Sequence, residues 1–266
     1  MSESKMTLDY EDKIAVVRFN DPQVMNAIGA EMLGDFTEVV HEVKHSDARC
    51  MVLTGTGRGF CAGANLQGRS GGSKDGKKKA PRGAGSGLRS GYHPLLFERR
   101  GMDIPLVTAV NGAAAGVGMS FALMGDLVCA SKQAFFLQAF AKIGLVPDGG
   151  STFMLPRLVG WGRAMELSML AERLPAEQAM EWGLINRLYD DNEALMDGAM
   201  ELATRLANGP RSLGLIRRAY WDSWHNSFEQ QVDLEARLQN EASSSEDHRE
   251  GVSAFLEKRD AEFKGA

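Results

Sequence analysis

Three short stretches do most to limit the folds open to this chain: "CMVLTG" (50–55), "LVTAVNG" (106–112) and "DLVCAS" (126–131). In each, apolar residues stand at consecutive positions instead of alternate ones. A strand with water on one face alternates apolar and polar side chains; a strand that is apolar throughout is covered on both faces. Helical periodicity lies between these runs. "AEMLGDFTEVVHEVKH" carries Met32, Leu33, Phe36, Val39, Val40 and Val43 at helical spacing, and "GVGMSFALM" reads as a buried helix. Strands alternating with helices predict an α/β domain with mainly parallel pairing. "MTLDYEDKIAVVRFN" adds a hairpin at the start, turning near "EDK". From about Arg205 the chain is helical and charged with no strand signal, and "FEQQVDLEARLQNEASS" and "REGVSAFLEKRDAEFKG" are amphipathic. The expected division is a core over 1–204 and a helical region over 205–266.

The 266 residues suffice for one large domain, or for one domain with an appendage. A formal net charge of −5 argues against general binding to nucleic acid, which favours a basic excess. Cys50, Cys61 and Cys129 are far apart and odd in number, with neither a disulfide framework nor zinc spacing, so a reducing compartment is expected. "MSESKM" has no apolar stretch of the secretory kind. No run reaches the roughly 18 apolar residues a membrane span needs, the longest being interrupted by Asp126. The expectation is a cytoplasmic protein. Residues 67–91 are rich in Gly, Ser and Lys and too long for a passive connector; they read as a mobile surface loop or lid, with "KDGKKK" solvated.

Two glycine-rich turns invite a phosphate reading and fail it. "NGAAAGVGMS" has G-x-G at Gly116 and Gly118, but Phe121 stands where the third glycine of a dinucleotide fingerprint belongs. "TGTGRGFCAG" lacks the Gly-Lys-Ser/Thr of a Walker A loop. A helix opening near Ala115 still presents free backbone N–H groups. "RGFCAGANL" (58–66) is a second small-residue turn, and Ala and Gly let a ligand approach the backbone. Two such turns aimed at one oxygen meet the requirement of an oxyanion hole; tight packing alone explains each taken singly.

"KIGLVPDGGSTF" holds one acid, Asp148. Pro-Asp-Gly-Gly is a turn signal, with Ser151 or Thr152 placed to cap the following helix. If Phe135, Phe136, Leu137, Phe140 and Phe153 converge around Asp148, desolvation would instead tune its carboxylate toward a general base. Both readings stand on local grounds. His93, in "GYHPLLF", is a further candidate, although a lone histidine is commonly structural.

Taken in order, "DPQVMNAI", "MVLTGTGRGFCAGANL", "PLVTAVNGAAAGVGMSFALMGDLVCAS", "IGLVPDGGSTFMLPRLVGWGRAMEL", "AEQAMEWGLINRL" and "EGVSAFLEKRDAEFKG" resemble the crotonase, or enoyl-CoA hydratase/isomerase, superfamily over nearly the whole chain. The resemblance implies an α/β spiral core of repeated ββα units with a C-terminal helical region used in trimerisation, as a homotrimer or dimer of trimers. It implies an acyl-CoA thioester as substrate and no metal or redox cofactor. The thioester oxygen would be held by the N–H groups of Ala64 and Val117. The adenine end of CoA would lie near Val24, Met25, Ala62 and Leu66, and Phe255 and Lys258 would reach a neighbouring subunit's CoA.

Hydratases of this family use two glutamates. Ser120 stands at one of those positions, and Ala139 and Phe140 at the other, so neither acid is present. "KIGLVPDGG" and "LPRLVG" resemble the branch of 1,2-epoxyphenylacetyl-CoA and Δ3,Δ2-enoyl-CoA isomerases, in which the matching Asp is the acid/base. The resemblance therefore favours an isomerase acting through Asp148. Alternatives are a hydratase of unusual site, a non-catalytic acyl-CoA-binding protein, and an aryl-CoA dehalogenase with Asp148 as nucleophile and a histidine matching His93. That dehalogenase has a tryptophan whose N–H holds the Asp, and Phe140 has no donor there.

Overall fold

The fold is described from a computed structural model, covering residues 4–66 and 84–266. The expected mobile loop lies outside these residues over 67–83; its last part, 84–91, is helical.

The hairpin comes first. β1 (Met6–Glu11) and β2 (Ile14–Phe19) pair antiparallel, from Met6 opposite Phe19 to Glu11 opposite Ile14. The chain continues through α1 (Ala30–Lys44), β3 (Cys50–Gly55) and β4 (Gly59–Cys61). Helix α2 (Ala84–Gly87) runs through a π-helical turn, Leu88–Tyr92, into α3 (His93–Arg100). Next come β5 (Leu106–Val110), β6 (Ala113–Ala115), α4 (Val117–Ala122), β7 (Leu127–Ser131) and β8 (Phe135–Leu137). After the 3₁₀ turn Ala139–Ile143 follow α5 (Ser151–Val159), α6 (Trp161–Leu170), β9 (Leu174–Pro175), α7 (Ala176–Glu181) and β10 (Arg187–Tyr189). The C-terminal part is helical: α8 (Asn192–Ala207), α9 (Ser212–Ser223), α10 (Phe228–Ser243) and α11 (Glu246–Glu257). Helix α8 crosses the expected 204/205 division. Among the described residues, no helix is long and apolar enough to cross a membrane.

The strands form a six-stranded sheet, β1-β2-β3-β5-β7-β10, and a four-stranded sheet, β4-β6-β8-β9. Successive strands alternate between the two: β3 then β4, β5 then β6, β7 then β8. This is the spiral of ββα units that the resemblance implies. Pairing is parallel throughout the interior; the described antiparallel pairs are the hairpin and β8–β9.

The consecutive apolar residues of the opening stretches are explained by what covers the large sheet. One face, with Val16, Cys50, Val52, Val107, Ala109 and Cys129, packs on α8 through Leu195, Ala199, Ala203 and Ala207. The other, with Ala15, Val17, Met51, Leu53, Leu106 and Val110, belongs to the main core with Phe19, Phe36, Phe60 and Phe121. Four of the six residues that gave α1 its periodicity are buried, Met32, Phe36, Val40 and Val43, and Leu33 and Val39 pack at the margin.

Helix α9 is fastened to this core chiefly by one buried side chain, with Arg218 pairing Asp103 at the surface. Arg217 is buried; its Nε donates to the Asp126 carboxylate at 2.8 Å, and its Nη1 to the carbonyls of Arg100 at 2.7 Å and Met102 at 2.6 Å. The bond is charge-assisted and three-way, which fixes how α9 lies against the end of α3.

Candidate active site

The site begins where two parallel strands of the small sheet end side by side. β4 and β6 pair with Cys61 beside Ala114, and beyond them lie the turns carrying Ala64 and Val117. The turns touch. Gly63 has φ +95°, and a Cβ there would stand 2.8 Å from the Ala115 carbonyl oxygen. A Cβ at Gly118 would come within 2.1 Å of the Cys61 carbonyl oxygen. Glycine is required at both places for the backbones to approach. The surrounding amides are committed: Ala62 N donates to Met25 O at 3.0 Å, Ile28 N to Gly63 O at 2.7 Å, Asn65 N to Ile28 O at 2.9 Å and Gly116 N to Leu137 O at 2.8 Å. Among the described residues, the Ala64 and Val117 N–H groups donate to no backbone carbonyl. Val117 is buried and Ala64 half-buried, and two such N–H groups on adjoining turns without a backbone acceptor suit a ligand oxygen.

Asp148 arrives at the same place from the loop before α5. Its carbonyl accepts from Ser120 Oγ at 2.8 Å, Ser151 Oγ at 2.9 Å and Ser151 N at 3.1 Å. Gly149 follows at φ +63°, where a Cβ would lie 2.7 Å from Ser120 Cβ and 3.1 Å from Val117 Cγ2. The Asp148–Gly149 backbone is thus pressed against α4, the helix whose first residue is Val117. The turn reading needs one correction: Gly150 is the N-cap of α5, and Ser151 is inside the helix with its hydroxyl on Asp148 O instead of capping from the side chain.

The expected convergence of phenylalanines is partial. Phe140 is buried with its ring edge toward Gly116, a Cβ there lying 3.9 Å from Phe140 Cζ. Phe153 lines a cavity beside Gly149 and Gly150. Phe136 is in the central core, and Phe135 lies under the Arg173 guanidinium at 4.4 Å. Both belong to β8, whose successive side chains point to opposite faces of the small sheet.

Two openings flank the paired turns. Val24, Met25, Ala64 and Leu66 line one groove of about 350 Å³ together with Arg58, with Ala62 bonded to Met25 beneath it. His93 lines the other, about 290 Å³, with Phe97, Arg100, Gly149, Gly150, Phe153, Trp221 and His225. There His225 stacks on Phe153 with ring centroids 5.0 Å apart. Phe255 is elsewhere: it is 82% exposed on α11, in a cleft with Val252, Leu256 and Phe263, and Lys258 ends that helix. Within a single chain, therefore, neither Phe255 nor Lys258 joins the two openings. The thiol nearest the turns, Cys61, is pushed up to about 12 by burial, so it is no nucleophile at neutral pH. Among the described residues, no group of His, Cys, Asp or Glu could hold a metal ion.

Four contributors escaped sequence reasoning. Ser120 was seen only as a missing acid, although its hydroxyl holds the Asp148 carbonyl. Asn26 is fully buried; its Nδ2 donates to the carbonyls of Thr56 at 3.0 Å, Gly59 at 2.8 Å and Phe60 at 3.2 Å, tying the Val24–Met25 turn to β4. Its φ of +57°, which Asn tolerates better than most residues, follows that of Met25 at +50°. Trp221 and His225 come from α9 and its end, more than 60 residues beyond Asp148 in sequence; no local pattern announces them.

The family model described as Enoyl-CoA hydratase/isomerase matches residues 9–266. The chain is 43% identical to the 1,2-epoxyphenylacetyl-CoA isomerase of Escherichia coli K12, covering 96% of each. It is 41% identical to a "probable enoyl-CoA hydratase" of Rhodobacter capsulatus, over 97% of this chain and 98% of that one. A solved enoyl-CoA hydratase from Polaromonas superposes with a TM-score of 0.88 at 29% identity, over 97% of this chain and 99% of the other. By fold and by a match that spans nearly the whole chain, this protein belongs to the enoyl-CoA hydratase/isomerase family.

Proposed function

We propose that this protein is an acyl-CoA isomerase, which moves a double bond or rearranges a ring epoxide at a CoA thioester. The observation that carries this is the placement of Asp148: its main chain is bonded to α4 through Ser120, beside the turn that offers the Val117 N–H. The acids a two-glutamate hydration would use are replaced by Ser120 and Phe140, neither of which exchanges protons near neutral pH. The 43% identity to a named isomerase supports the same choice.

In the proposed reaction the thioester oxygen accepts hydrogen bonds from the Ala64 and Val117 N–H groups. The Asp148 carboxylate removes a proton from C2 of a 3-enoyl-CoA; the electron pair delocalises through the carbonyl, and the negative charge is held by the two amides. The resulting Asp148 carboxylic acid returns the proton at C4, leaving the double bond between C2 and C3. One carboxyl group gives back what it takes, so no metal or redox cofactor is required. Oxyanion donors contribute about 3 kcal/mol each in comparable sites, and general acid–base transfer about 10²- to 10⁴-fold. The groove around Val24 and Met25 would take the CoA end, and the cavity at Gly149 and Phe153 the acyl group. A trimer or dimer of trimers would bring Phe255 and Lys258 to a neighbouring CoA.

The test is turnover of a 3-enoyl-CoA and of a ring-epoxide CoA by wild type and Asp148→Asn. The expected loss exceeds tenfold, or about 1.4 kcal/mol. An Asn variant keeping more than a tenth of the rate, or strong hydration of crotonyl-CoA by wild type, would overturn the proposal. Phe140 offers no donor to orient an attacking Asp148, which argues against the dehalogenase alternative.

A further inference from the structure

We infer that Ser120 is a positioning residue for this chemistry: its hydroxyl fastens the Asp148 main chain to α4, so that the proton carrier and the Val117 N–H are held as one body. The inference rests on the isomerase reading above.

Ser120 is fully buried in a helix whose other inward side chains are apolar, Val117, Met119 and Phe121 among them. A hydroxyl in such a place is costly unless it is bonded. A helical serine ordinarily bonds back to a carbonyl three or four residues earlier on its own helix. Ser120 does not. Its Oγ donates across to the carbonyl of Asp148, 28 residues on, at 2.8 Å. The other two donors to that carbonyl, Ser151 Oγ and Ser151 N, come from within the Asp148 turn itself. They shape the turn; the Ser120 bond ties the turn to the helix.

The tie has little slack. Ser120 N donates to Gly116 O at 3.3 Å, so the serine is one helical turn from the residue that sets the Val117 amide. On the other side, a Cβ at Gly149 would lie 2.7 Å from Ser120 Cβ, so the loop sits directly on the serine. Amide, serine and acid-bearing turn thus form a continuous path within one helical turn. An acid that must reach two carbons of a substrate held by the amide depends on their relative placement, and a shift of about 1 Å can cost on the order of 100-fold in rate.

The experiment uses the full-length enzyme as wild type, Ser120→Ala, Ser120→Cys and Asp148→Asn. Four quantities are read: 3-enoyl-CoA isomerisation, C2 hydrogen exchange of butyryl-CoA in D₂O, butyryl-CoA affinity and Tm. Butyryl-CoA exchanges its C2 hydrogens but cannot isomerise, so it reports proton removal alone. Ser120→Ala is expected to slow both kcat and exchange by about 10- to 100-fold. Butyryl-CoA affinity should stay within about twofold and Tm within a few degrees, because Ser120 is not in the groove and the Asp148 carbonyl keeps its two Ser151 donors. Ser120→Cys, which keeps a weak donor, should recover part of the exchange rate. If Asp148→Asn leaves exchange intact, the general-base reading falls and this inference with it. If Asp148→Asn abolishes exchange while Ser120→Ala keeps it near the wild-type rate, only the role given to Ser120 falls. A Ser120→Ala loss matched by an equal loss of affinity, or by a collapse of Tm that Ser120→Cys shares, would mark Ser120 as merely structural and overturn the inference.

Discussion

A methyl group at Gly63 has nowhere to go: it would meet the Ala115 carbonyl at 2.8 Å, from a backbone at φ +95°. Gly63→Ala should therefore lose about 1–3 kcal/mol in strain and part the turns that carry Ala64 and Val117. The expected outcome is a lower Tm with a disproportionate fall in kcat, read from thermal unfolding and turnover together. The three thiols give the opposite prediction, of silence. Burial pushes Cys50 and Cys61 up to about 12 and Cys129 to about 11, so each stays protonated at pH 8. A disulfide reagent at that pH should label none of them in the folded protein and all three after denaturation. Of the site residues, Asp148 was legible because an acid among apolar neighbours is conspicuous in sequence. Its partner Ser120 was not, because a serine inside an apolar helix looks the same whether its hydroxyl bonds back to its own helix or across to a loop.

The helices following the sheets do more than extend the chain. Arg217 sets α9 against the core, and α9 supplies Trp221 to the cavity beside Gly149. Arg217→Met would leave Asp126, only partly exposed, without its closest cation. The expected loss is about 3 kcal/mol in urea unfolding, with a raised KM for the acyl substrate as the cavity wall shifts. At the far end, Glu250 bonds Arg259 through Nη1 at 2.6 Å and Nη2 at 2.9 Å, and accepts from Glu262 N at 2.9 Å. The Arg259 bonds and that amide hold its carboxyl at about 2, below the ordinary 4.5. A carboxyl lowered on folding contributes above its unfolded value and loses that contribution on protonation. Docking of the C-terminal segment should therefore be intact above about pH 4.5 and weaken as pH falls toward 2. Hydrogen exchange at the Glu262 amide would follow it, and Glu250→Gln should flatten the dependence. The long elements were legible in sequence, α1 and the hairpin above all. The three-residue strands β4, β6 and β8 were not, being too short to show a period; parallel pairing with one another makes them strands.

For the whole molecule, the surface of one chain is unusually apolar in places. Phe228, Leu256 and Phe255 on α10 and α11 are 79%, 74% and 82% exposed, and Trp161 at the start of α6 is 73% exposed. Faces of this kind ordinarily meet a partner. The expected outcome of sedimentation at micromolar concentration is a species larger than the monomer, as the trimer reading requires; a monomer would contradict it. Phe255→Asp should shift such an assembly toward smaller species.

The sequence by itself determined the architecture. Strands apolar at every position demand cover on both faces, helices between them supply it, and the ordered motifs name the family. It also determined that positions 120 and 140 carry no carboxylate, since a position without one cannot be given one by folding. Only the tertiary structure decided which residues meet: that the turns at Gly63 and Gly116 touch, that Asp148 is bonded to the helix carrying Val117, and that α9 walls the cavity. The physical reason is range. Burial and periodicity are written locally in the order of side chains, whereas two adjoining turns, a clamped loop and a cavity wall are contacts between segments tens of residues apart, which the closing of the spiral brings together.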